Sequence, residues 1–453
     1  MPNTDSGAFA ESLDKSGRLR FRYFARRIVY AWERPSIMRK HIYTGAMGNI
    51  WASLISGLFF VYFGTVIGLT PFLWGLMAGL SSWAVVAQLF SAVMTERSGR
   101  RKLIWFWFAI LDRALRLAGV LVSLVMWQSG LPFSPVLLML FICLANFFGN
   151  LANPPWMSWL ADIIPEEVHG SFWGRRSAWI ALSTIGVVVP AGYLMDTVPD
   201  RYRLYASVLI FTAATFIGIV DLLVHGTIPE PRMLKSPNGT FLASIFEPFK
   251  DPAFRPWLVF NGFWTFSMTL GGALATIYFI QNLGIKSNFL GGTLVLTSFS
   301  LVGSMLSGGW SGRLVDRIGS RRVLFMGHIF WALMPAFWFF STPQYALVWL
   351  GVGSLIGGGS SAAATTASNK LISRTPPQSK RAAYAAASST LGSLAGGLGV
   401  MIAGTLLKTL DGWSSEFLTL TIGPFRLLFL LSCLLRMSST LIFIPRIPEP
   451  HRL

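Results

Sequence analysis

The stretch Gly312-Arg313-Leu314-Val315-Asp316-Arg317-Ile318-Gly319-Ser320-Arg321-Arg322 has a counterpart 220 residues earlier, Ala92-Val93-Met94-Thr95-Glu96-Arg97-Ser98-Gly99-Arg100-Arg101-Lys102. A second echo, Ile228-Pro229-Glu230-Pro231, returns as Ile447-Pro448-Glu449-Pro450 at an offset of 219. Two matches at nearly one spacing predict a chain built of two related halves. On either side of each charged stretch lie apolar runs long enough to cross a bilayer.

Composition agrees. Of 453 residues, 53% are hydrophobic and 12% are charged, with a mean hydropathy of +0.56. A soluble protein carries roughly 25% charged residues, so this chain lacks the charge to cover water-facing surfaces. Its two cysteines, Cys143 and Cys433, sit in apolar runs and exclude a disulfide scaffold. About twelve segments can cross the roughly 30 Å hydrocarbon layer. They are spans 1 to 12, at approximately 43–68, 72–94, 102–126, 134–161, 175–195, 204–226, 257–282, 288–312, 322–341, 344–372, 382–407 and 424–445. The expected fold is an all-α polytopic membrane protein with two pseudo-symmetric six-helix bundles. Residues 1–42 form a basic segment, 43–226 the N-terminal bundle, 227–256 a polar, proline-rich linker, 257–445 the C-terminal bundle and 446–453 a tail.

The net charge of +18 is explained by topology. Of 37 Lys and Arg, 29 fall in the two termini and the alternate loops on their side, and five in the opposite loops. That bias places both termini and the linker in the cytoplasm, and it leaves no excess charge that calls for nucleic acid. Residues 18–34 read as an amphipathic helix, with Phe21, Phe24, Ala25, Ile28, Val29 and Trp32 on one face and Arg18, Arg22 and Arg26 on the other. Such a helix either lies on anionic lipid or braces the bundle from below. A multi-pass monomer in a bacterial cytoplasmic membrane is the expectation.

The stretch Gly312-x-x-x-Asp316-Arg317-x-Gly319-x-Arg321-Arg322 resembles the signature loop of the major facilitator superfamily between its eighth and ninth helices, and Ala92–Lys102 resembles its counterpart between helices two and three. Asp162-Ile163-Ile164-Pro165-Glu166-Glu167-Val168-His169-Gly170 is similar to the superfamily's acidic–Pro–basic–Gly turn after helix four. Ala92, Glu96 and His169 depart from the usual glycine, aspartate and arginine. The resemblance implies a gate made of Glu96, Arg97, Arg101, Asp162, Asp316, Arg317 and Arg321, steadying the outward-facing state. In physical terms, Asp316 at a membrane edge needs cationic or helix-N-terminal partners, with Arg317, Arg321 and Arg322 at hand, and Gly312 permits a close helix approach.

The same resemblance assigns the central cavity to spans 1, 4, 7 and 10. Span 4 carries Asn146, Asn150 and Asn153 on one helical face, followed by Pro154, Pro155 and Trp156. Span 1 offers Asn49 and Ser53, span 7 Asn261 and Trp264, and span 10 Ser361 and Thr365. Amides and hydroxyls there suit a hydroxyl- or amide-bearing solute; helix-to-helix hydrogen bonding is the alternative use for each. Asp112 lies near the middle of span 3, one turn from Arg116, as a structural or coupling pair. Asp221 is expected near the cytoplasmic end of span 6, within reach of water, which leaves the cavity helices without a mid-membrane carboxylate.

These features predict a secondary active transporter working by alternating access on a neutral or weakly charged polar solute, sugar- or nucleoside-like. Alternatives are a drug or metabolite exporter of the same superfamily and a non-transporting assembly or binding protein, whose cavity could be packed shut. Five histidines at 41, 169, 225, 328 and 451 make no local metal or nucleophile motif, and no phosphate-cradling loop occurs. No enzyme activity, cofactor or metal is expected; the candidate coupling ions are H+ and Na+.

Overall fold

The computed structural model describes residues 36–163, 169–231, 241–375, 381–417 and 420–449. The helix expected at 18–34 lies outside them. Span 1 is Ser36–Ile67. Span 2 runs Pro71–Trp83, through a 3-10 turn at Ala84–Val86, into Ala87–Ser98. Span 3 is Arg101–Gln128, span 4 Ser134–Ile163, span 5 His169–Thr197 and span 6 Asp200–Gly226. A linker helix, Phe241–Lys250, precedes the second half. Span 7 is Arg255–Gly272 continued by Ala275–Asn282, and span 8 runs from Phe289–Thr293 through a π turn at Leu294–Ser298 to Phe299–Ile318. Span 9 comprises Ser320–Ala332 and Met334–Phe340, followed by span 10 (Ala346–Arg374), span 11 (Arg381–Thr409) and span 12 (Pro424–Phe443).

Eleven of these are long and apolar enough to cross a membrane. Span 3, at 28 residues and thus about 42 Å, has the length but carries Asp112, Arg113 and Arg116 at its centre. Span 1 begins at Ser36 rather than 43 because Ile37 and Ile42 bury beneath spans 3, 4 and 5 despite Arg39 and Lys40 beside them. One feature was not anticipated: a small antiparallel hairpin, β1 (Ser415–Phe417) on β2 (Leu420–Ile422), between spans 11 and 12.

Local chemistry sets the breaks. Gly68 ends span 1 at φ 103, where its N–H closes on the last carbonyls, and the Thr70 hydroxyl then caps span 2 at Leu73 with Pro71 in the first turn. Span 4 continues as helix through Pro154 and Pro155. Pro155 has no N–H for the Leu151 carbonyl, and the Ser91 hydroxyl of span 2 donates to that oxygen instead.

The two halves meet at the end remote from the basic loops. Gly75 of span 2 lies against the Val400 carbonyl and Gly404 of span 11, so close that a Cβ would stand 2.8 Å from the former and 2.9 Å from the latter. About two turns further in, the Trp83 indole donates to the Leu394 carbonyl at 3.1 Å. Asp196 at the end of span 5 accepts the first N–H groups of span 8, from Phe289 and Leu290, at 2.7 and 2.8 Å. Tyr62 of span 1 meets the Phe289 ring edge-on at 5.1 Å. The inner stretch of span 2, Ala87–Ser98, packs on span 4 of its own half.

Candidate functional site

The charged loops fasten each half internally. Arg101, 1% exposed, donates to the Ser158 carbonyl at 3.0 Å and to the Pro231 carbonyl at 2.8 Å, with Glu230 3.8 Å from its Nε. Glu230 also accepts the Lys102 N–H at 3.3 Å. The same arrangement recurs in the second half, where Glu449 accepts the N–H groups of Ser320 at 2.5 Å and Arg321 at 2.9 Å. Gly319, at φ 96, makes room, since a Cβ there would stand 2.8 Å from the Glu449 carboxylate. The repeated Ile-Pro-Glu-Pro motif therefore caps the N-terminus of the third helix of each half, a role its spacing did not disclose. Removing that anion from span 9 by Glu449→Ala should cost about 1–2 kcal/mol. Glu230→Ala should cost more, because it also removes the carboxylate that lies 3.8 Å from buried Arg101; melting temperatures in detergent check both.

Two expectations for the signature loop are corrected. Asp316 pairs with Lys370 of span 10 at 2.6 Å rather than with the arginines that follow it in sequence. The bond and charge of Lys370 hold the Asp316 carboxyl below the usual carboxylate range. Arg317, one residue on, points about 100° round the helix from Asp316, and Arg321 lies beyond the helix end at Gly319, while Lys370 reaches across from the neighbouring helix. Gly312 has open space about it; the close approach of spans 8 and 10 is made at Gly303, on the Leu355 carbonyl, and at Gly358, on the Ser300 carbonyl. Arg97 is exposed. The side chains of Glu96 and Asp162 lie outside the described residues.

Among the described residues, two ion pairs are buried in the first half. Arg116 Nε meets Asp112 at 2.8 Å on the same helix, and its other arm donates to Asn146 Oδ1 at 2.8 Å. Arg113 NH2 meets Asp221 of span 6 at 2.7 Å. The Trp51 ring lies 4.5 Å from the Arg113 guanidinium and 5.5 Å from that of Arg116, a cation–π contact for each. Glycines admit these groups: a Cβ on Gly48 would stand 3.0 Å from Asp221, and one on Gly218 2.9 Å from Arg113.

The second pair walls a cavity of about 260 Å3 among spans 1, 3, 4, 5 and 6. Asn49, Trp105, Trp156, Arg176 and His225 complete its working surface. Asn49 donates to Thr184 of span 5 at 2.7 Å and to Ser53 at 3.3 Å, which leaves its carbonyl oxygen for a ligand. The Trp156 indole N–H, which can only donate, gives to His225 Nε2 at 3.3 Å, so that ring is a neutral imidazole with its proton on Nδ1. His41 packs edge-on against His225 at 4.6 Å, and neither of its buried ring nitrogens has a hydrogen-bond partner among the described residues. Asp221 Oδ1 is likewise buried and without a partner there. Asp221 is thus a cavity carboxylate rather than a water-exposed one, being 5% exposed. Gly48 is the reason: without a side chain on span 1, a residue of the outlying span 6 reaches the cavity.

The remaining expected residues divide. Asn146 spends its amide on Ser81 and the Ile142 carbonyl and its oxygen on Arg116. Asn150 accepts from Gln88 of span 2 at 2.8 Å and donates to the Asn146 carbonyl. These two amides tie spans 2, 3 and 4 together instead of facing a solute, since each has a charged or amide partner in reach. Asn153 is exposed. In the second half Asn261 donates to the Ser388 carbonyl at 2.8 Å, joining spans 7 and 11. Trp264 is buried against His328 at 4.4 Å and Trp331 at 5.3 Å, inside the bundle rather than on a cavity wall. Ser361 folds back on the Gly358 carbonyl, and Thr365 is exposed. Sequence reasoning missed Arg113, Arg176, His41 and His225. The signal was present in span 6, where Gly218, Asp221 and His225 share one helical face.

A family model described as Major Facilitator Superfamily matches residues 42–400 and, in a second match, 266–451. No curated protein matches the sequence. Among solved structures, a D-xylose-proton symporter is similar with a TM-score of 0.70 at 14% identity, covering 92% of this chain and 98% of its own. A nucleoside transporter, NupG, gives 0.67 at 13%, covering 91% and 100%. The xylose transporter XylE from E. coli, in an inward open conformation, gives 0.65 at 14%, covering 92% and 97%. At such identities the likeness is one of fold.

Proposed function

Because the chain belongs to the Major Facilitator Superfamily, we propose that it is a secondary transporter moving a polar, ring-bearing solute of the sugar or nucleoside class by alternating access. The observation that carries this reading is the cavity at Asn49, Trp105 and Trp156, which joins an unpaired amide oxygen and two indoles to a buried ion pair. Indole faces suit the apolar face of a sugar or a base, and the amide and hydroxyl groups suit its hydroxyls. Ligand sites commonly measure roughly 300–1,000 Å3, so a cavity of about 260 Å3 suits a single sugar ring better than a bulky drug. The xylose and nucleoside transporters of similar fold support the same class. With the basic loops in the cytoplasm, the seal between Gly75 and Gly404 lies on the outer side, and the conformation is inward-facing.

Proton coupling is the second element of the proposal, favoured by Asp221. Its one ion-pair partner is Arg113, and its second oxygen has none among the described residues. A proton taken up there would release Arg113 from span 6. The test is uptake into proteoliposomes with labelled xylose-type sugars and nucleosides under an imposed pH gradient. Saturable, gradient-driven accumulation of one of them is expected, with Trp156→Ala raising the half-saturating concentration at least tenfold. Asp221→Asn should abolish accumulation while exchange of preloaded solute persists. No saturable transport of either class removes the substrate assignment; accumulation retained by Asp221→Asn removes the coupling assignment alone.

A further inference from the structure

A second recess, of about 610 Å3, opens on the outside of the first bundle, between spans 3 and 6 at their basic-loop ends. Its floor is apolar: Leu103 is 48% exposed and Leu223 56%, with Phe106 between them. Further along the same two helices Trp107, Phe216 and Ile219 continue an exposed apolar wall into the membrane. Its rim is cationic. Arg100 is exposed, and its guanidinium has no hydrogen-bond or ion-pair partner among the described residues. The Lys102 ammonium gives one bond, to the Ile228 carbonyl at 3.1 Å, and keeps two N–H groups in hand. The carboxylate on that rim, Glu230, is already opposed by Arg101 and by the Lys102 N–H. Gly226 keeps the recess open, since a Cβ there would meet Phe106 at 3.7 Å.

We propose that this recess binds an anionic phospholipid, its phosphate held by Arg100 and Lys102 and one acyl chain lying along Leu103, Phe106 and Leu223. Charge complementarity selects the occupant: uncompensated cations at the water boundary directly above a lipid-facing apolar floor match a negatively charged headgroup on a hydrocarbon tail. A soluble phosphate would leave the floor bare, and a zwitterionic lipid would bring its ammonium to a rim whose one carboxylate is engaged. The second half supplies an internal control. There Ser320, buried, stands where Arg100 does, and Val323, 1% exposed, stands where Leu103 does. The duplicated position keeps exposed cations in Arg321 and Arg322 but, with Val323 buried, has no open apolar floor where Leu103 lies in the first half, so the expected stoichiometry is one lipid per chain.

The full chain, purified in detergent, is titrated with phosphatidylglycerol, with phosphatidylcholine of the same acyl chains, and with inorganic phosphate. A ligand of the folded state raises the melting temperature by mass action. Phosphatidylglycerol should raise it saturably by several degrees, and native mass spectrometry should retain one such lipid. Phosphatidylcholine and phosphate should do neither. Arg100→Gln with Lys102→Gln should erase the phosphatidylglycerol increment while the phosphatidylcholine baseline stays. Should the double variant not fold, Arg100→Gln alone, at an exposed position, should weaken the retained lipid at least fivefold. An increment that survives these variants, or equal effects of phosphatidylcholine or phosphate, overturns the assignment.

Discussion

Arg113→Ala is expected to destabilise the protein by about 3–5 kcal/mol, because it strands Asp221 as an uncompensated charge in the membrane interior. The loss is also one of packing, since the guanidinium lies on the Trp51 ring at 4.5 Å. Adding Asp221→Asn to that variant removes the stranded charge and should recover a large part of the loss, even though no contact is restored. Asp112→Asn should be milder. There Arg116 still reaches Asn146 Oδ1, and both members of the pair sit on one helix, so no interhelical tie is broken. Melting temperatures in detergent of the unsubstituted chain, Arg113→Ala, Asp221→Asn, their double variant and Asp112→Asn decide the matter. Strictly additive losses for Arg113→Ala and Asp221→Asn would mean that the two side chains do not act as a pair.

Gly75→Leu is expected to open the outer seal. A Cβ at Gly75 already meets the Val400 carbonyl at 2.8 Å and Gly404 at 2.9 Å, and backbone cannot rotate aside as a side chain can. Overpacking of this kind costs about 1–3 kcal/mol. Because the contact joins the two halves, the whole cost falls on the state in which they touch there, which shifts the conformational equilibrium by roughly 5- to 150-fold. Distances between spin labels on the outer ends of spans 1 and 7 should lengthen, and transport should fall. Gly186→Leu adds the same volume to a position with nothing within 4 Å and should leave both unchanged.

The plan of the molecule was legible because lipid imposes it. Span length, loop charge and the 220-residue repeat are linear properties, and they predicted the helices to within a few residues at most ends. The pair Asp112–Arg116 was legible too, since i and i+4 on one helix are neighbours in any fold. Contacts between helices were not. Nothing in the sequence near Asp221 says that Gly48, 173 positions earlier in the chain, lacks a side chain at the facing point. The asparagine stripe illustrates the converse: a polar face on span 4 was plain, but whether it meets solute or Gln88, Ser81 and Arg116 depends on how spans 2 and 3 rotate against it. Glu449 was visible only as half of a repeat, because a cap is recognised by the helix end it serves and that end lies far upstream.

The caps formed by Glu230 and Glu449 bear on ancestry. Each six-helix unit ties its own last residues to the start of its own third helix, so neither copy relies on its sibling to finish a terminus. A module sealed in this way can be duplicated in tandem and remain foldable at once, before any complementary change arises. Afterwards the copies are free to drift apart in their interiors: the first buries the pairs Arg116–Asp112 and Arg113–Asp221, and the second buries Arg436 on the Met268 carbonyl.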